Sequence, residues 1–330
     1  MSPKTASPTP PRRARLRRSD CSGKGLTRIK RGHGFSYADA EGKPIKHPEE
    51  ILRVRKLGIP PAWQEVWICP DPLGHLQATG IDAAGRKQYL YHPRWRELRD
   101  REKFDRMLSF ARLLPRLRKR VLADLDADGL DEQRVLACAV RLLDVGMFRI
   151  GSEERRVQAV QDAPTVTVVQ ELKRRRAGGS QLLAYRERGR WHRLRSEQIT
   201  DYLKAQIGED YSAKDFRTWN ATVLAAVSVA ADGREARSVT ARERAINGAV
   251  KGVATVLGNT PAVARRAYID PRVFDHYLSG WTIGAALDRI GGLAGPDDRR
   301  RARLETAVLD LLDDPRDSAA VERMPTKKAA

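Results

Sequence analysis

Three segments in the C-terminal half of the chain gather residue types suited to one kind of chemistry. GMFRIGSEE carries Arg149, and AKDFRTWNATVLA carries Lys214 and Arg217. LGNTPAVARRAYIDP carries Asn259 and, nine positions later, Tyr268. A tyrosine hydroxyl is an oxygen nucleophile that can form a covalent ester intermediate. Two arginine forks and a neutral amide donor make a suitable cradle for the crowded anionic transition state of phosphoryl transfer. Exchanging one phosphate ester for another conserves bond energy, so such a reaction needs no ATP. Taken singly, each residue has an ordinary explanation. An arginine beside Asp or Glu is usually a surface ion pair, and a tyrosine on a short helix usually packs its ring and wets its hydroxyl. Only the combination makes chemical sense.

The rest of the sequence narrows the setting. It contains no GxxxxGK[ST], no HExxH, no clustered His and Cys, and no glycine-rich dinucleotide fingerprint after a strand. The expectation is chemistry without a nucleotide, metal or other cofactor. The formal net charge is +20, an imbalance that points to a polyanionic partner. Nucleic acid is the first candidate and an anionic membrane the second. Three dispersed cysteines, Cys21, Cys69 and Cys138, suit neither a disulfide framework nor a zinc cluster. No apolar run approaches a membrane span, and the basic N-terminus has no apolar core behind it. A soluble, cytoplasmic, nucleoid-associated protein is expected.

The elements that must position these residues are legible in outline. Residues 1–20, rich in Pro, Arg and Ser, read as a disordered basic arm. Residues 21–125 read as a β-rich domain with a helical end. Strands and turns fill about 27–92, and a helical stretch follows that Pro115 is expected to break or kink. A polar run near 123–131 suggests the domain junction. Residues 126–313 read as mainly α-helical, with helices over about 164–176, 196–207, 214–231 and 239–257. Gly258 suits a helix C-cap, and Thr260-Pro261 suits the start of a short helix ending near Tyr268. Residues 314–330 read as a disordered tail. The fold class expected is α+β.

The chain also resembles a known family. RIGSEE, KDFRTWNATVLAA and LGNTPAVARRAYIDP resemble, in order and character, the catalytic segments of type IB DNA topoisomerases of the bacterial and poxvirus kind. GIDAAGRKQYLYHPRW resembles their N-terminal DNA-contacting segment. The resemblance spans about residues 25–280. It implies a C-shaped clamp on duplex DNA, acting as a monomer. Arg149 and Arg217 would grip the scissile phosphate, and Asn259 would donate to a nonbridging oxygen. Tyr268 would attack and carry the 3′ phosphate while the other end rotates. Arg86, Lys87, Gln88, Tyr89, Tyr91 and Lys214 would contact the duplex. For Tyr89 and Tyr91 the competing explanation is strand packing, because period two puts both on one face.

One family element is missing. A β-hairpin carrying a lysine general acid should follow RIGSEE, in a stretch resembling NGSYGLxTLRKxHV. Here GSEE runs directly into RRVQAVQDAPTVTVVQELKRRR. Lys173, the nearest lysine, falls in an expected helix and matches no family position. Arg155 and Arg156 are poor substitutes, because arginine does not readily release a proton. Loss of a general acid costs roughly 10²–10⁴ in rate. Two other readings therefore stand beside a relaxing enzyme: a catalytically impaired DNA-binding relative, and a tyrosine recombinase, which the GRKQYLYH segment disfavours. All three require phosphate contacts that release counterions, so duplex affinity should fall steeply as salt rises. A Kd that stays constant from low to high salt would refute the polyanion assignment.

Overall fold

The computed structural model describes residues 15–32, 34–146, 160–291, 298–313 and 318–324. Its contacts divide the chain into two compact units, residues 1–103 and 104–330. The architecture is α+β, a small antiparallel sheet followed by a mostly helical remainder. Among the described residues no helix is long and apolar enough to cross a membrane.

The first unit holds β1 (Leu26–Arg31), β2 (Gly34–Ala38), α1 (Pro48–Lys56), β3 (Gln64–Ile68), β4 (Leu76–Ile81) and β5 (Lys87–Tyr91). The strands form one antiparallel sheet in the order β2-β1-β3-β4-β5. Leu26, Val66, Ile68 and Ala78 supply its buried face, and Val54 of α1 closes the cluster. The helix α1 stands where the sequence suggested only strands and turns. Its signal was local: Pro48 in the first turn, Glu49 and Glu50 beside it, and Arg53, Arg55 and Lys56 in the last turn. That charge order matches the helix dipole. Part of the expected disordered arm is also tied down. The backbone of Arg17 bonds to Leu73 and His75, and the Ser19 N–H donates to His75 Nδ1 at 2.9 Å. Residues 1–14 lie outside the described residues.

The helix α2 (Pro93–Leu125) runs through Pro115 without a break. Leu114 and Leu117, each 1% exposed, anchor it on both sides of the proline. Burial there outweighs the lost backbone bond. The division between the units falls within α2 and not near 123–131, because its apolar residues from Phe104 onward belong to the helical core.

The second unit continues with α3 (Glu132–Gly146), α4 (Ala163–Arg174), the hairpin β6 (Ala184–Glu187) and β7 (Arg190–Arg193), and α5 (Ser196–Ile207). Then come α6 (Ala213–Ala231), α7 (Val239–Leu257), α8 (Pro261–Ala267), α9 (Pro271–Leu278), β8 (Trp281–Thr282), α10 (Gly284–Ile290), α11 (Asp298–Asp313) and β9 (Glu322–Arg323). α6 is the central helix. Nearly every position from Asp215 to Ala230 is buried, and α3, α7, α9, α10 and α11 pack around it. The expected polar tail is partly structured too. β9 pairs with β8, and Val321 and Met324 are buried in the helical core.

A buried charge cluster ties these helices together. Asp144, near the end of α3, accepts from Arg118 of α2 at 2.8 and 3.0 Å and from Arg301 of α11 at 2.5 Å. Arg141 pairs with Asp144 at 3.4 Å and with Asp162, the N-cap of α4, at 2.6 Å. Asn220 of α6 donates to the Asp144 carbonyl at 2.8 Å, and Arg301 donates to that carbonyl and to Asn220 Oδ1. Burial alone would raise the Asp144 pKa. Arg301 and Arg118, followed by Arg141, reverse the shift and hold it at about 2, below the ordinary 3.8. A depressed carboxylate stabilises the fold above its unfolded pKa and loses that contribution as pH falls through the folded value. Asp144→Asn should therefore flatten the pH dependence of urea unfolding between about pH 4 and pH 2. At pH 7 it should cost about 3–5 kcal/mol, since Arg118, Arg141 and Arg301 each lose one buried anionic partner and keep Glu305 or Asp162. Parent and variant with the same acid limb would refute this assignment.

Candidate active site

α6 begins with a capping box. The Asp215 carboxylate accepts from the N–H and hydroxyl of Ser212, at 2.8 and 3.0 Å. This sets the first turn, with Lys214 exposed on the surface and Arg217, 5% exposed, turned into the protein. Arg217 Nη2 donates to the carbonyl of Leu257, the last residue of α7, at 2.9 Å. Terminal helix carbonyls lack intrahelical partners, so an inward-pointing arginine is a natural cap. Gly258 follows in the left-handed conformation (φ 60°), and the Asn259 N–H returns to Ala254 O at 2.9 Å. Thr260 then caps α8, its hydroxyl accepting from the Val263 N–H at 3.3 Å, with Pro261 behind it.

Tyr268 is the C-cap of α8 and half-buried. The Arg217 guanidinium lies 5.3 Å from the centre of its ring. One arginine thus touches both the turn that bears Asn259 and the expected nucleophile. The geometry brings Arg217, the Asn259 turn and Tyr268 together. Arg149 lies outside the described residues, although α3 and α4 on either side of its segment are both held by Arg141.

Several residues that position this site were not singled out from sequence. Thr222, fully buried on α6, accepts from the Asp270 N–H at 3.1 Å, and its hydroxyl also lies 3.3 Å from the Tyr268 carbonyl and 2.9 Å from the Thr218 carbonyl. It grips the backbone on both sides of the tyrosine. Asp270, also fully buried, caps α9 through the Arg272 N–H and binds the Arg272 guanidinium, which reaches on to Asp105 of α2 at 2.9 Å. The spacing of Thr222 five residues after Arg217 was visible, but nothing in it said which backbone would lie opposite.

In the first unit, Lys87, Tyr89 and Tyr91 share one face of the edge strand β5, and all three are exposed. Tyr89 is 47% exposed and Tyr91 37%, the latter also lying 6.2 Å from the His75 ring. Their rings stack at 6.2 Å, with the Lys87 ammonium 5.9 Å from the Tyr89 ring. Arg86 and Gln88 are held by Asp82, at 3.1 and 2.8 Å. The Asp82 carboxylate also accepts the Arg86 backbone N–H, the main cause of its lowered pKa. The strand presents flat aromatic surface flanked by cations, a surface suited to a sugar-phosphate edge. Among the described residues no group of His, Cys, Asp and Glu is arranged to hold a metal ion.

Comparison with known proteins gives a consistent result. Residues 34–82 match the bacterial DNA topoisomerase IB N-terminal domain. Residues 92–163 and 161–277 match the eukaryotic DNA topoisomerase I catalytic core. The DNA topoisomerase 1B of Acanthamoeba polyphaga mimivirus is 26% identical over 289 residues, an alignment that takes in 74% of this chain and 85% of that protein.

The Thr222 contacts can be checked by substitution. Thr222→Val keeps the shape and removes the hydroxyl, leaving the buried Asp270 N–H without its acceptor. A loss of about 1–3 kcal/mol in urea unfolding is expected, and Thr222→Ser should recover most of it. A loss in Thr222→Ser with none in Thr222→Val would show that the methyl group, not the hydroxyl, is what matters.

Proposed function

The chain belongs to the type IB DNA topoisomerases, isomerases that relax supercoiled DNA, and from that premise we propose that it cuts and reseals one strand of duplex DNA through Tyr268. The phenolic oxygen attacks the scissile phosphorus, and its proton is lost to solvent. The bond to the 5′ oxygen breaks, leaving the 3′ phosphate on the tyrosine, and the departing oxygen takes a proton from solvent to become a hydroxyl. The freed 5′ end turns about the intact strand, and its hydroxyl then attacks the phosphotyrosine to restore the original ester. Arg149 and Arg217 neutralise the nonbridging oxygens, Asn259 donates to one of them, and no ATP or metal is used. Lys87, Tyr89, Tyr91, Arg86, Gln88 and Lys214 hold the duplex. The chain acts as a monomer on cytoplasmic, nucleoid-associated DNA.

The observation that carries this reading is Arg217, whose guanidinium caps the strand of backbone leading to Asn259 and faces the Tyr268 ring. An arginine so held is preorganised, so it need not be ordered at the moment of reaction.

A second reading rests on a specific observation. The match to the catalytic core comes in two pieces that meet at residues 161–163. That break supports a deletion between RIGSEE and α4, where the lysine hairpin would lie. Without a general acid, the 5′ oxygen must leave as an alkoxide. The chain would then be a slow enzyme, or a relative that binds DNA without cutting it.

Two substrates separate these outcomes. Supercoiled plasmid, in EDTA and without ATP, should be relaxed by the parent and not by Tyr268→Phe. An oligonucleotide duplex with sulfur in place of the 5′ bridging oxygen releases a thiolate, which needs no proton. It should be cleaved about 10²–10⁴-fold faster than its oxygen counterpart, the contribution of a general acid. Cleavage of neither substrate, with binding retained, would make the chain a binding module. Dependence on paired specific DNA sites would make it a recombinase.

A further inference from the structure

The hairpin formed by β6 and β7 has no part in the site described above, and its charge is unlike the rest of its unit. Residues 173–195 contain nine Lys or Arg and a single carboxylate, Glu187. Many arginines elsewhere in this unit are paired with acids: Arg118, Arg134, Arg141, Arg234, Arg272 and Arg301 each form ion pairs. Arg186, Arg188, Arg190 and Arg193 are all exposed, and among the described residues none of the four forms an ion pair. Four guanidinium groups on a ribbon this short repel one another unless an anion lies between them.

The ribbon is built to hold those groups out rigidly. At its base Ala184, Tyr185 and Leu194 are buried, and the Arg186 N–H donates to Leu130 O at 2.7 Å. Arg186 pairs across the ribbon with Trp191, which lies against the Arg175 guanidinium at 5.7 Å. At its tip Arg188 and Gly189 both have positive φ (47° and 78°), the two-residue turn that favours Asn-Gly. Arginine is a poor residue for the first of these positions. Its presence at a strained site is a reason to look for a role.

We propose that this arginine ribbon is a second duplex-DNA contact, separate from the tyrosine site, which grips backbone phosphates without reading sequence. The proposal rests on the DNA-binding part of the function given above. A two-stranded ribbon is narrow enough to follow a DNA groove, and the arginine fork matches phosphate oxygens. The tip, Glu187-Arg188-Gly189-Arg190, has no apolar residue to enter a lipid surface.

The test is the salt dependence of binding to a short nonspecific duplex. Each lost phosphate contact should make the slope of log K against log salt shallower by about 0.9. Arg188→Asn/Arg190→Gln should reduce it by about 1–2, while Arg116→Gln/Lys119→Gln, an exposed pair on α2, should leave it unchanged. Arg188→Asn also relieves the turn, so the single variant should melt no lower than the parent and yet bind more weakly. A structural role would move stability and affinity in the same direction. An unchanged slope in the ribbon variant, or equal changes in both pairs, overturns the proposal and leaves the function above intact. A parent that does not bind duplex DNA at all overturns both. Loss of binding to anionic phospholipid vesicles with an unchanged DNA slope would assign the ribbon to a lipid surface instead.

Discussion

The Asp144 carboxylate, 2% exposed and ringed by Arg118, Arg141 and Arg301, is the contact on which the arrangement of the helical unit depends. Taking such charges out of water is costly, and their attraction compensates only when every partner is in place. A cluster of this kind therefore adds little net stability but tolerates few alternative arrangements. Here it joins α2, α3, the N-cap of α4, α6 and α11 at one point. Arg141 also holds both Asp144 and Asp162, which fixes the two ends of the segment that carries Arg149. The link to α6 runs through Asn220, three residues beyond Arg217.

α6 then distributes that order to the site. Buried on almost every side, it cannot turn or slide without disturbing the core. Its successive turns each have a separate task. Arg217 caps α7 and faces Tyr268, Asn220 reads the end of α3, and Thr222 grips the backbone around the tyrosine. Helix ends and turns are otherwise the loosest parts of a fold. Tying two of them to the most buried helix gives a precise site without building it from regular structure alone.

A phosphate-binding cradle and a proton donor are separable parts of phosphoryl transfer. Arginine forks and an amide stabilise charge wherever it appears on the phosphate, so they serve both grip and chemistry. A general acid serves only the departure of the leaving oxygen. The two can therefore be separated by mutation, and a strong positive charge gives the grip reach beyond the cradle itself.

The sequence alone determined the family and the large positive charge, because short motifs and residue type are local signals. It also determined the helices α4 to α8 closely, since apolar spacing, Gly258 and Thr260-Pro261 are local signals. Other features depended on what each segment meets in space. Pro115 sits inside α2 because Leu114 and Leu117 are buried on either side. α1 and the β6–β7 hairpin were obscured by the polar stretches around them. Residues 318–324 are ordered by pairing with β8, more than thirty positions earlier. Which carbonyl Arg217 caps, which backbone Thr222 holds and which acids surround Arg141 were decided only by tertiary structure. Hydrogen bonds and buried ion pairs are set by distance in space, and sequence separation carries no record of that distance.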